Sequence, residues 1–134
     1  MTIAKYISEL LGNYEGLAIL TNQVNDGSDQ YGLYKSPGRD IEHYIGDCDH
    51  ITEYYQFFAR QNALSESDRL DSDEFLETLT YWIDDFDRTY EFPELDENRT
   101  VVAIEVTGVP YPMEATDDDI LYQMNLSITY DRKY

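Results

Sequence analysis

The chain has 134 residues, of which 28 are acidic and 9 basic, giving a formal net charge of -19. Hydrophobic residues make up 42% and aromatics 14%, so the acids are expected to coat a folded core rather than extend a disordered chain. Such a surface repels phosphate backbones and anionic lipid, which disfavours DNA, RNA or membrane as a bound ligand.

The length fits one domain spanning residues 1–134. No apolar run approaches the roughly 20 residues that cross a bilayer. The first ten residues lack a charged segment followed by an apolar one, so no secretory signal is expected. The lone cysteine, Cys48, excludes an internal disulfide. Together these features suggest a cytosolic protein, or one assembled in cytosol.

Residues 2–11 read as a short helix, with Ile3, Ile7, Leu10 and Leu11 on one stripe and Gly12 and Gly16 bracketing its end. Leu17–Leu20 reads as a strand, and Asn25–Asp29 as a turn-rich loop. Tyr31–Lys35 and Arg39–Ile45 are two extended runs around Ser36-Pro37-Gly38, a turn signal, so a hairpin reaching beyond the domain is expected there. Gly46–Asp49 reads as a further turn. Ile51–Arg60 is a strand with aromatics on both faces, which predicts cover on both sides. Ala63–Leu70 is polar and loop-like.

Residues 72–90 carry the strongest helical pattern, with Asp71 as N-cap and Glu74 in the capping-box position. Phe75, Leu79, Trp82, Ile83, Phe86 and Tyr90 form its core stripe. Pro93 and the acidic stretch Glu94–Asn98 end it. Thr100–Thr107 reads as a strand, and Gly108–Asp119 as a loop with two prolines. The last element alternates: Tyr122, Met124, Leu126, Ile128 and Tyr130 face one way, against a wet face opposite. No crossover helix separates the last two strands, so they pair antiparallel. The fold class is α+β: two layers, a mainly antiparallel sheet with an N-terminal helix and one long helix packed on it, plus the protruding hairpin.

No constellation of residues carries a reaction. Asp84-Asp85 and Asp117–Asp119 could attract a divalent cation, but no Asp-x-Asp-x-Asp-Gly loop encloses either, and a solvated acidic face is expected. His43, Cys48 and His50 are three zinc-type ligands at irregular spacing without a fourth, and read as surface and turn residues. Phosphate loop, dinucleotide fingerprint and nucleophile elbow are all missing, and Ser36 and Ser65 have no recognisable base. The expectation is a non-enzyme with no catalytic residue, metal or cofactor.

Thirteen tyrosines are many for a chain this short. Tyr31, Tyr34, Tyr44, Tyr54 and Tyr55 crowd the expected hairpin and the next strand. Sheet core and protein interface both account for them. Tyr31, Leu33, Tyr34, Ile41 and Tyr44 are the candidate oligomer interface, because the hairpin combines tyrosines with few acids.

Three stretches, Tyr31-Gly-Leu-Tyr-Lys-Ser-Pro37, Ile51-Thr-Glu-Tyr-Tyr-Gln-Phe57 and Leu79-Thr-Tyr-Trp-Ile83, resemble the tail terminator and minor capsid proteins of long-tailed phages and prophages. The order of parts is similar too, ending on Leu121-Tyr-Gln-Met-Asn-Leu126, so the resemblance covers nearly the whole chain. It implies a small α/β domain that forms a ring, usually of six copies, on the completed tail tube. The implied partners are further copies, the major tail tube protein and head-completion proteins. DNA would pass through without being held, no membrane would be involved, and the site of action would be the virion, assembled in the host bacterial cytoplasm. A related head-completion protein is an alternative within the resemblance. The charge alone raises an alternative of another class: an acidic binding protein such as a DNA-mimic inhibitor. A mimic needs carboxylates along one face, whereas these are expected to scatter through loops.

Overall fold

Thr2 caps the first helix, α1 (Ile3–Gly12), its hydroxyl accepting the Lys5 N–H at 3.1 Å. The apolar stripe behind that cap buries Ile3, Ile7, Leu10 and Leu11 as expected, and Tyr6 with them. The computed structural model describes residues 1–14, 16–22, 30–44, 46–89 and 92–134. The expected loop at Asn25–Asp29, and Tyr90 of the helical stripe, lie outside those residues.

After α1 come β1 (Ile19–Thr21), β2 (Gln30–His43), β3 (Cys48–Asn62), α2 (Glu66–Thr89), β4 (Arg99–Ala115) and β5 (Asp119–Lys133). The five strands form one sheet in the order β1-β2-β3-β5-β4. Every pair is antiparallel except the short β1–β2 contact. The α+β class with one short and one long helix is therefore observed.

One sheet face carries the core. Along β3 burial alternates strictly, with Ile51, Tyr55, Phe57 and Ala59 buried. Their partners on β5 are Tyr130, Leu126, Met124 and Tyr122, the predicted inward set. Both helices lie on this face, and Tyr14 links them by ring contacts 5.6 Å from both Phe75 and Trp82. Each fully buried side chain of this size contributes about 1.5–3 kcal/mol by area.

Among the described residues the reverse face carries no helix, which corrects the expectation that β3 is covered on both sides; Gln123 and Ser127 of β5 are nonetheless buried there. Tyr54 and Phe58 are there, partly exposed. Tyr54 donates to Asp40 at 2.5 Å, and Phe58 meets Tyr34 edge-on at 5.1 Å. A polar partner and an aromatic neighbour satisfy these rings without a covering layer.

Three expected boundaries move. Ser36-Pro37-Gly38 does not turn the chain: β2 runs through it with a register shift between Lys35 and Arg39, and both halves pair with β3. Over the described residues the expected hairpin is thus one strand that ends at His43, and the hairpin observed joins β2 to β3. Proline is tolerated here because β1 covers only Tyr31–Leu33 of β2, leaving the rest as edge. The stretch 63–70 is only briefly a loop, since α2 begins at Glu66, with the Ser65 hydroxyl accepting the Asp68 N–H at 3.2 Å. Ser65, not Asp71, caps the helix; Asp71 and Glu74 lie inside it. Gly108–Ala115 is strand as well, the outer strand β4 continuing past Pro110 and Pro112 with four register irregularities.

Of the expected core stripe on α2, Leu79 and Ile83 are fully buried, while Phe75, Trp82 and Phe86 pack against the core from its rim. Leu76, absent from that stripe, is buried with them.

Candidate functional site

The middle of α2 and the distal half of β4 bound a groove of about 480 Å³. Its floor is Leu76, Thr80 and Tyr122, all buried, and its walls are Val109 and Pro110 from β4. Asp73, Glu77 and Tyr81 line the helix side one turn apart, because residues four apart share a helix face. Tyr122 donates to Asp73 at 3.3 Å, and Tyr81 to Glu77 at 3.1 Å. Burial, with the Asp73 carboxylate beside it, holds the Tyr122 phenol above its usual range. The hydrogen bond to Glu77 does the same for Tyr81. The groove therefore presents two carboxylates and two neutral phenols over an apolar floor, with no cation in its lining. Chemically this suits an alkyl stem ending in a positive charge.

The candidate interface residues of β2 divide. Tyr31 and Leu33 face the helices and belong to the core, Leu33 at 1% exposure, so neither is presented to a neighbour. Tyr34 is half-buried on the reverse face, and Ile41 and Tyr44 are exposed near the β2–β3 turn. Strand parity puts Tyr34 on the reverse face, whereas Ile41, paired with Ile51, shares the face of Tyr31 and Leu33 and is exposed because it lies near the end of the sheet.

Near that turn the two histidines each meet an aspartate. His43 Nδ1 lies 2.6 Å from Asp49 Oδ1, and His50 Nδ1 lies 2.6 Å from Asp131 Oδ1. Tyr44 packs its ring on His50 at 5.6 Å. Cys48 is half-buried, its thiol directed to the Asp49 carbonyl. The expected surface character of His43 holds, whereas His50 is half-buried in the sheet. Among the described residues, no three of His, Cys, Asp and Glu converge in a way that could hold a metal ion. Asp119, from the acidic run, pairs with Arg60 at 3.3 Å, while Asp117 and Asp118 are exposed. Asp84 and Asp85 lie on the outer part of α2, Asp85 paired with Arg88 at 3.3 Å.

Two features escaped the sequence reading. One is the groove, whose β4 wall was read as loop. The other is Glu53, 3% exposed on the helix-side face of β3. Lys35 reaches it at 2.6 Å and the Tyr130 hydroxyl donates to it at 2.7 Å. Strand parity with Ile51 and Tyr55 was the signal that could have found it.

A scan against protein-family models gives no match, and a search of curated proteins gives none either. Among the described residues, no helix is long and apolar enough to cross a membrane.

Proposed function

We propose that this chain is a virion assembly protein that forms a ring on the end of a phage tail tube and joins tail to head. The reading begins from the resemblance of residues 31–37, 51–57 and 79–83. The observation that carries it is the distribution of exposed apolar side chains. Ile41, Tyr44 and Tyr134 stand at one end of the sheet, and Leu64, Leu70, Tyr81, Val109, Tyr111 and Met113 toward the other, on an acidic chain. Two separated, unlike contact patches on one small domain suit assembly with neighbours better than capture of a small substrate. The partners are further copies, the tail tube protein and head-completion proteins, and the place of action is the virion. A net charge of -19 suits a conduit whose cargo must slide past without being held. Negative-stain microscopy of the chain mixed with tail tubes tests the reading. Rings on tube ends are expected; tubes that lengthen unchecked in its presence would count against it.

One observation favours a second reading, an acidic binding protein that mimics a nucleic acid. Nine of the acids lie on the single helix α2 rather than in loops. Capture of a basic nuclease or repressor, at the expense of tail proteins, would favour it.

A further inference from the structure

The basic residues are few, so where they remain unpaired is informative. Six of the nine stand in ion pairs with carboxylates. Among the described residues, Arg39, Arg132 and Lys133 stand in none. Sheet register gathers these three toward the β2–β3 turn: Arg132 lies opposite Asp49, Lys133 opposite Cys48, and Arg39 opposite Glu53. Ile41, Tyr44 and Tyr134 are exposed at the same end. Asp40 and Asp131 flank it but are already bonded to Tyr54 and His50. Glu42 and Asp47 are exposed there as well, Asp47 beside β5, where its carbonyl accepts the Tyr134 N–H at 2.9 Å.

The groove between α2 and β4 has the opposite character. Asp73 and Glu77 line it, and Tyr81 and Val109 are 58% and 67% exposed at its mouth. Tyr122 in the groove and Lys133 are at opposite ends of β5, about 35 Å apart at the rise of an extended strand.

We propose that the chain associates head to tail with a second copy, the end of β5 in one copy, with Arg132 on its helix-side face and Lys133 on its reverse face, seating on Asp73, Glu77 and Tyr81 of the next. The proposal rests on the ring reading above and names the surfaces that reading leaves open. The aliphatic stem of the inserted residue lies along Leu76, Val109 and Pro110. Its charged head lies between the two carboxylates, with the Tyr81 ring beside it. Because the two patches are different and at opposite ends, each added copy leaves one of each unfilled. Such a contact continues until rotation closes it into a ring. Two copies with so many acids repel at a distance, so contact requires cations at the point of touch. The unpaired ones are there.

The test uses three full-length variants, R132E/K133E, D73K/E77K and the chain carrying all four changes. Association is read by sedimentation velocity, or by microscopy on tail tubes where the ring forms only there. Each double variant alone should lose association by more than about tenfold. An equimolar mixture of the two should regain assembly with the variants alternating, because the native end of one meets the native groove of the other and the reversed end meets the reversed groove. Recovered assembly also shows both variants folded. The chain with all four changes should recover association. Double variants that assemble like the wild type, or a mixture and a four-change chain that both stay monomeric, would overturn the proposal and leave the ring reading standing. A wild-type chain that stays monomeric both in solution and on tubes would overturn the two together.

Discussion

Glu53 is a carboxylate placed where a strand of alternating pattern calls for an apolar side chain. It is tolerated because Lys35 and Tyr130 both reach it, and a buried charge left unpaired is costly. Tyr130→Phe removes one of those partners while keeping the ring. It should lower stability by about 1–3 kcal/mol, read as a lower urea midpoint at unchanged slope. Burial pushes the phenols of Tyr6 and Tyr130 up to about 12, and the Glu53 hydrogen bond adds to the effect at Tyr130. The unfolded chain releases these protons near 10.0, whereas the folded chain keeps them to about 12. Stability from these groups is therefore complete below pH 10 and falls as the pH rises toward 12. Urea midpoints measured across that range should decline, and Tyr6→Phe should flatten part of the decline.

At the level of elements, the helix cap gives a direct comparison. Ser65→Ala removes the oxygen that accepts the Asp68 N–H and should cost about 1 kcal/mol, while Asp71→Ala, in the exposed interior of α2, should cost far less. Thermal melts of the two variants check this. The sequence placed the cap at Asp71 because residues 66–71 are nearly all polar and show no inward stripe; that first stretch of α2 is exposed. β5 was legible because its apolar residues from Tyr122 to Tyr130 recur every second position and are all buried, although Gln123 and Ser127 of the expected wet face are buried as well. β2 and β4 were read short for a common reason. Ser-Pro-Gly and the two prolines of β4 are turn signals in isolation, but on outer stretches of a sheet they become bulges. That error also hid the groove, since Val109 and Pro110 form its wall only as strand residues. Asp73 and Glu77 were visible as acids, but their meeting with Tyr122 is a long-range contact that no local pattern encodes.

For the whole molecule the dominant quantity is charge. At about 10 mM salt the screening length is about 30 Å, comparable with a small domain, so the acids repel one another across it; near 150 mM it is about 8 Å. Raising salt over that interval should raise the thermal midpoint of a chain with net charge -19. It should also strengthen association between copies, because repulsion at a distance is screened more than pairs in contact. Calorimetry and sedimentation at the two salt levels check both outcomes.

The prolines of β4 bear on how such a molecule survives at high concentration. Pro110 and Pro112 sit on the outermost strand and carry no N–H, so that rim offers a broken row of donors to any extended chain. A broken row of donors disfavours edge-to-edge stacking into amyloid-like fibres. Valine at both positions would remove this gatekeeper, and thioflavin fluorescence should then climb on incubation where the natural chain stays dark.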